Sequence, residues 1–150
     1  IMNVDYFMNE ALIEAEKAFI ANEIPVGAII VDNSTKEIIS RNYNKMNKLN
    51  SAIKHCEIDL ILDACKKLKK KYLDNTSIFI TLEPCSMCAS AISEVHIDSL
   101  YYGAYDEKNG GIEKIRVTFE RKNIFMPNIY GGIMEEKCSK LLKDFFMKIR

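Results

Sequence analysis

The feature that most constrains this 150-residue chain is a set of metal-binding side chains divided between two distant segments. The first is His55-Cys56-Glu57 and the second is Pro84-Cys85-Ser86-Met87-Cys88, with 26 residues (58 to 83) between them. One imidazole, two thiols and a carboxylate in this arrangement are typical of a zinc site. Any fold that uses them must bring the two segments together.

Three of these residues, His55, Cys85 and Cys88, are the candidate zinc ligands. A structural zinc site usually closes with four protein ligands, whereas a catalytic one keeps three and leaves a position for water. Glu57 is the candidate catalytic residue, because a carboxylate beside that water can transfer its protons. The alternatives are a structural zinc knuckle, which needs a fourth ligand, and a buried histidine beside unrelated cysteines. Cys56 adjoins His55 and is expected to be a small buried thiol instead.

Helical geometry predicts how the two segments converge. His55 and Glu57 would point roughly 200° apart in the middle of a helix, so they can share a site only at its first turn. Cys85 and Cys88 lie three residues apart at a second predicted helix start, and hence on one face. The partial positive charge of a helix N-terminus favours the thiolate that binds metal. We therefore expect two facing helix starts to form the metal site.

The spacing of apolar residues predicts alternating helices and strands in one domain over 1–150. Helices are predicted over 5–22, 52–72 and 135–148 and from Pro84 onward, and strands over 26–31, 37–40, 78–82 and 97–104. The predicted inward-facing residues of the second and last helices are Ile58, Ile61, Leu62, Cys65, Leu68, Leu141, Leu142, Phe145 and Phe146. The segment 112–130 fits either a helical turn or a strand.

Composition narrows the class of protein. The chain is 48% hydrophobic and 28% charged, as in ordinary soluble globular proteins. No apolar run approaches the roughly 20 residues of a membrane span, and no signal-peptide pattern is present, so we expect an intracellular protein. Basic and acidic residues balance at 21 each, so any RNA contact must rely on local patches or on a partner subunit. Cys65 and Cys138 are expected in the core, and His96 at the surface or in packing.

The chain resembles the zinc-dependent cytidine/deoxycytidylate deaminase superfamily, and within it the tRNA-specific adenosine deaminases. The likeness is carried by Glu23 to Ala28, Thr81 to Ala89, Tyr102 to Ala104 with Asp106, and Leu141 to Phe146. The segment Asn50 to His55, with Lys54 before the histidine, is more similar to the eukaryotic catalytic subunit than to the bacterial enzyme. The resemblance implies an α/β, three-layer cytidine-deaminase-like fold with a central mixed five-stranded sheet flanked by helices.

The function that the resemblance implies is zinc-dependent hydrolytic conversion of adenosine to inosine at the tRNA wobble position, with one Zn²⁺ per chain. Deamination of a free nucleobase, nucleoside or nucleotide (cytidine, deoxycytidylate or guanine) is the alternative, because related cores occur there. A non-catalytic zinc-bearing scaffold is a third reading, against which Glu57 argues. The implied partners are the tRNA anticodon loop and either a second copy of this chain or a catalytically inactive deaminase-like subunit. The implied location is the cytoplasm, with the nucleus left open.

The same resemblance supplies candidate substrate-binding residues. Asn44 would hold the base through its amide, with Ile24 and Val26 as apolar walls, although Asn44 could instead cap a turn. Asp106 would accept a ribose 2′-hydroxyl or else be a solvated loop acid. Cys56 stands where the family usually has Ala and is expected to border the base pocket.

Two groups of basic residues are candidate RNA contacts. The run Lys66, Lys67, Lys69, Lys70 and Lys71 lies on an amphipathic helix, where such a run is usually a solvated face. Analogy with the family favours the last helix, with Lys137, Lys140, Lys143, Lys148 and Arg150. The loop after Asn109 lacks the family's Gly-Ser-type pattern and is expected to differ near the substrate.

Overall fold

The computed structural model describes residues 1–112, 116, 120 and 123–150. Within this part of the chain the helices are α1 (Val4–Ile20), α2 (Met46–Leu49), α3 (Cys56–Leu68), α4 (Ser86–Glu94) and α5 (Glu135–Lys148). The strands are β1 (Gly27–Asp32), β2 (Ile38–Tyr43), β3 (Thr76–Leu82), β4 (Ser99–Ala104) and β5 (Asn128–Tyr130).

The strands form one five-stranded sheet in the order β2-β1-β3-β4-β5. β1 pairs antiparallel with β2 and β3, whereas β3, β4 and β5 run parallel to one another. The parallel pairing of β3 with β4 needs a crossover connection, which α4 provides. The predicted mixed five-stranded sheet is therefore confirmed.

Helices cover both faces of this sheet. Alternate strand residues point to opposite sides, so Ile29 and Phe79 pack with α1 and α5 while Ile30 and Ile80 pack with α3 and α4. All four side chains are fully buried. Each such aliphatic or aromatic side chain contributes roughly 1.5–3 kcal/mol by leaving water. The result is the predicted three-layer architecture.

Three predicted helix boundaries are wrong. The second helix begins at Cys56 rather than at residue 52, because His55 has an extended backbone (φ −67°, ψ 147°). It ends at Leu68 rather than at 72, because Lys69 adopts the left-handed conformation (φ 55°, ψ 43°). The next helix begins at Ser86 and not at Pro84, since Cys85 is its extended N-cap residue. The two corrected helix starts each place a candidate metal ligand, His55 or Cys85, just before a helix.

Two predicted core residues are wrong as well. Leu62 is 61% exposed, because the helix face that contacts the sheet is set by Cys56, Leu60, Ile61 and Ala64. Phe146 is 44% exposed, whereas its neighbour Phe145 is buried. Because α5 lies at the edge of its layer, a narrower stripe of its surface is covered than the apolar pattern suggested.

Other predictions for individual residues are confirmed. Cys138 is buried and Cys65 packs against the core from a half-buried position. His96 is a packing residue that stacks on Tyr72 and on Phe125, with ring centroids 4.8 Å apart in each pair. In the ambiguous segment 112–130, the last three residues form β5. Residues 113–115, 117–119, 121 and 122 of that segment lie outside the described residues.

Candidate metal and substrate site

The two helix starts meet at one end of the sheet, where they bring together His55, Cys85 and Cys88. Their ligand atoms all lie within 4.8 Å of one another. Nδ1 of His55 is 3.5 Å from Sγ of Cys85 and 3.5 Å from Sγ of Cys88. We call these three residues the metal cup. Among the described residues, no other group of three or more His, Cys, Asp or Glu side chains lies close enough together to hold a metal ion.

The spacing of the metal cup fits a tetrahedral zinc ion. Zinc–sulfur bonds of about 2.3 Å and zinc–nitrogen bonds of about 2.0–2.1 Å at a tetrahedral angle separate nitrogen from sulfur by about 3.6 Å. The observed 3.5 Å separations need no rearrangement to match this value. One nitrogen and two sulfur donors also form the soft donor set that zinc prefers. Three protein ligands leave the fourth position open to water or substrate.

The start of α4 prepares the two thiols for metal. The hydrogen bond from Cys88, backbone N–H groups of the first turn and the nearby His55 lower the pKa of Cys85 to about 5, despite partial burial. The same sulfur–sulfur hydrogen bond, together with burial and the Glu57 carboxylate, raises the pKa of Cys88. One thiolate is therefore present at neutral pH before metal binds, and the second proton leaves on binding.

Glu57 lies beside the metal cup and is 5% exposed. Its Oε1 accepts a hydrogen bond from the thiol of Cys56 at 3.1 Å. The side-chain amide of Asn42 in turn donates to the carbonyl of Cys56 at 3.2 Å, which anchors the start of α3 to β2. Cys56 is the buried thiol that the sequence predicted, and burial with the adjacent carboxylate raises its pKa well above normal. It is thus a neutral hydrogen-bond donor to Glu57.

The metal cup opens onto a cavity of about 520 Å³. The cavity is lined by Ile24, Val26, Asn44, Met46, His55, Cys56, Glu57, Leu82, Glu83, Cys85, Ser86, Met87, Asp106 and Asn109. All five candidate substrate-binding residues from the sequence therefore face the same space as Glu57. Its volume suits a small-molecule ligand or a single extruded nucleoside.

One side of the cavity is formed by two loop segments, residues 23–26 and 44–49, which we call the substrate wall. The backbone N–H of Asn44 donates to the carbonyl of Val26 at 3.0 Å. The Asn44 side chain donates to the carbonyl of Ile24 at 3.3 Å and accepts from the N–H of Met46 at 3.3 Å. Asn44 therefore caps a turn, as the alternative reading had it, and borders the cavity as well.

A second loop, residues 105–111, closes another side of the cavity. Oε1 of the buried Glu83 accepts a hydrogen bond from the backbone N–H of Asp106 at 3.1 Å. The Asp106 carboxylate accepts from the N–H of Asn109 at 2.9 Å, so this acid stabilises its own loop while it borders the cavity. Gly110 leaves room for Glu83, because a Cβ there would collide with the carboxylate. The 2′-hydroxyl role of Asp106 stays a prediction.

Sequence reasoning missed several residues of the site. Glu23 and Glu83 are buried carboxylates that hydrogen-bond loops of the cavity. The sequence had marked them only as members of segments that carry the family resemblance, without a role of their own. Each precedes a proline by one or two positions, which was the available signal. Met46 was missed because the short helix α2 that carries it has no periodic pattern.

The candidate RNA-binding lysines are exposed but do not line the cavity. In the basic run on α3, Lys67 forms an ion pair with Asp63 at 2.9 Å. On α5, Lys140 pairs with Asp144 at 2.7 Å and Lys148 donates to Asn22 at 2.9 Å. Some of the lysines in both groups therefore already contact neighbouring residues. Contact of these lysines with phosphate stays a prediction.

Taken together, the fold and the site define a hydrolytic deaminase of the cytidine-deaminase-like fold. The MafB19-like deaminase family matches residues 2–150 of the chain. The tRNA-specific adenosine deaminase of Rickettsia bellii is 46% identical over 144 residues, which cover 95% of this chain and 99% of the relative. That of Agrobacterium fabrum is 38% identical over 146 residues, covering 97% and 95%. The chain therefore belongs to the MafB19-like deaminases and, among them, to the tRNA-specific adenosine deaminases.

A solved structure supports the same assignment. It comes from biochemical and structural studies of A-to-I editing by tRNA:A34 deaminases at the wobble position of transfer RNA. It superposes with a TM-score of 0.84 at 38% identity, over 91% of this chain and 99% of that one. The two relatives named above are bacterial, so the likeness to the eukaryotic subunit rests on the segment before His55, and a nuclear location gains no support. In the described part of the chain, no helix is long and apolar enough to cross a membrane.

Proposed function

We propose that this protein binds one zinc ion in the metal cup and deaminates adenosine to inosine at the wobble position of tRNA. The observation that carries the proposal is that Glu57 and two of the cup residues, His55 and Cys85, line one cavity, with Cys88 completing the cup beside it, in a chain of the tRNA-specific adenosine deaminase family. Zinc bound there supplies a Lewis acid and lowers the pKa of a water molecule to about 7.

The protein's own residues would then move protons and hold the base. Glu57 accepts a proton from the attacking water and delivers it to the purine ring nitrogen. The water oxygen would bond to the ring carbon that carries the amine, and its second proton would pass through Glu57 to the amine. The carbon–nitrogen bond would then break, and ammonia would leave as the carbonyl of inosine forms. Such proton transfer contributes typically 10²–10⁴-fold. The thiol of Cys56 would support the step by holding one oxygen of Glu57 in place.

The substrate wall would contact the base. Ile24 and Val26 present apolar surface to a purine, and Asn44 borders the same space with its amide. Both hydrogen-bonding groups of that amide already have backbone partners, so its bond to the base must be shared with them or exchanged for them. An unpaired anticodon base is a suitable substrate, because extruding it does not break a duplex.

The test is the reaction on tRNA. Zinc-loaded protein is incubated with a tRNA whose anticodon begins with adenosine, and inosine is measured by mass spectrometry of the nucleosides. A matched tRNA with guanosine at that position is the control. We expect inosine from the first tRNA alone. Conversion of free cytidine, deoxycytidylate or guanine without conversion of tRNA would refute the tRNA assignment and favour the small-molecule alternative.

We also propose that the functional protein is a dimer of two copies of this chain. Apolar side chains near the cavity are exposed, with Ile53 at 67% and Tyr105 at 51%, as expected for a surface that a partner covers. Because each copy carries its own Glu57, a dimer of two copies would not depend on a separate catalytic subunit. Mass measurement with and without tRNA tests this, and a monomer that needs an inactive deaminase-like partner for activity would support the heterodimer instead.

A further inference from the structure

Glu23 is a buried carboxylate with an unusual set of partners. It is 3% exposed, and its two oxygens accept hydrogen bonds from the backbone N–H groups of Asn47 at 3.0 Å and Lys48 at 2.9 Å. Among the described residues, no lysine, arginine or histidine forms an ion pair with it. A buried carboxylate without a cation is unfavourable unless its oxygens are satisfied. Here both are satisfied by one loop.

Glu14 provides the contrast. It is equally buried, at 2% exposed, but its carboxylate pairs with Arg41 at 2.8 Å and with Lys17 at 2.8 Å. These partners lie on β2 and on α1 itself, and neither they nor Glu14 line the cavity. Glu14 therefore stabilises the fold through ion pairs, whereas Glu23 joins one half of the substrate wall to the other.

The contacts of Glu23 continue those of its neighbours. Ile24, the next residue, accepts from the side chain of Asn44 at 3.3 Å, and its carbonyl also accepts from the N–H of Val26 at 2.8 Å. The residue before Pro25 has restricted backbone freedom, which keeps Ile24 in place. The segment 44–49 contains no proline, and α2 within it is a single turn, which is marginal as an isolated helix. Asn44 accepts from the first amide of this turn, that of Met46, and Glu23 accepts from the next two, those of Asn47 and Lys48.

We propose that Glu23 is a positioning residue that assembles the substrate wall before substrate binds. Its carboxylate fixes Asn47 and Lys48, and thereby sets the places of Asn44 and Met46 in the cavity. Without this carboxylate the segment 44–49 would sample other conformations. The apparent affinity for substrate would then fall in proportion to the fraction of molecules that keep the binding-competent conformation. This inference rests on the proposed function, since it concerns the same cavity.

The main test replaces Glu23 by Gln and compares the variant with Glu14→Gln. In Glu23→Gln one acceptor oxygen becomes an amide donor that faces a backbone N–H. We expect the KM for anticodon-adenosine tRNA to rise about tenfold or more, while kcat changes by less and zinc content is unchanged. Glu14→Gln should lower the melting temperature and leave KM unchanged.

Hydrogen exchange gives a readout that does not depend on activity. The amides of Asn47 and Lys48 should exchange faster in Glu23→Gln than in the parent, and at the parental rate in Glu14→Gln. If Glu23→Gln fails to fold, Glu23→Asp retains the charge with a shorter reach and should give a smaller change in both measurements. An unchanged KM, or unchanged exchange at these amides, would overturn the proposal. Failure of the proposed function would appear instead in the unsubstituted protein, as absence of inosine.

Discussion

The metal cup and the substrate wall are built in different ways although they border one cavity. The cup takes its three side chains from two helix starts, with residues at fixed local spacing and backbone set by the helices that follow. The wall consists of loop segments joined by hydrogen bonds between residues about 20 positions apart. If the proposed function holds, the chemistry is placed on the starts of long helices here, whereas substrate binding is placed on loops and a single helical turn. Substitutions in the two regions should therefore fail differently.

The largest effect is expected from breaking the metal cup itself. Replacing Cys88 by Ala removes one of the three proposed ligands, so zinc content should fall well below the expected value of about one per chain. Deamination should fall below detection. Metal analysis and the tRNA assay are the measurements, and Cys65→Ala, outside the cup, is the matched control. Full zinc content in Cys88→Ala would mean that other residues hold the metal.

Glu57 tests whether the cup alone is sufficient for catalysis. Glu57→Gln keeps the size of the side chain but removes the carboxylate that would transfer protons. Turnover should fall by roughly 10²–10⁴-fold while zinc stays bound. Loss of zinc together with activity would contradict this and make Glu57 a ligand or a structural support. The exposed Glu107, replaced by Gln, is the control for loss of a nearby negative charge.

Asn44 tests the wall in the same way. Asn44→Ala removes the hydrogen bonds to Ile24 and Met46 along with any contact to the base. We expect KM to rise about tenfold, with zinc content unchanged and a smaller change in kcat. Asn33→Ala is the control, because its side chain accepts from Ser77 at 2.6 Å in a turn that does not line the cavity. Equal effects of the two substitutions on KM would contradict a wall-specific role.

The smallest effect concerns the link between the two regions. Ser40 on β2 donates to Asp63 on α3 at 2.6 Å, which ties the strand that leads to the wall to the helix that begins at the cup. This hydrogen bond and the nearby Lys67 lower the pKa of Asp63.

Because the folded-state pKa of Asp63 lies below the unfolded value, its stabilisation is present at neutral pH and is lost as pH falls through the folded-state pKa. Asp63→Asn should lower the free energy of unfolding at neutral pH by less than about 1 kcal/mol, since the side chain is partly exposed. The difference from the parent should vanish in acid. Urea unfolding at several pH values measures it, with the exposed Asp74→Asn as control, and a difference independent of pH would be contrary to this account.

The success of sequence reasoning differed between local and long-range features. The convergence of His55, Cys85 and Cys88 was predictable, because helix-start geometry and ligand spacing leave few arrangements. The exposure of Leu62 and Phe146 was not, since periodicity shows which residues are apolar and not how wide a stripe the neighbouring layer covers. The role of Glu23 was missed because its partners lie 24 and 25 residues away, in a turn without a pattern.

The sequence alone determined the donor set, the candidate acid–base residue, the layered α/β class and the family, because each depends on residue types at short, fixed spacings. Tertiary structure decided that Asn44 caps a turn while it borders the cavity, that Cys56 donates to Glu57, and that buried carboxylates hold the cavity loops. The turn cap and the carboxylate contacts depend on which backbone groups remain without partners once the sheet and helices have formed, and the Cys56 contact depends on which side chains are buried together. Only the folded chain determines where such groups lie.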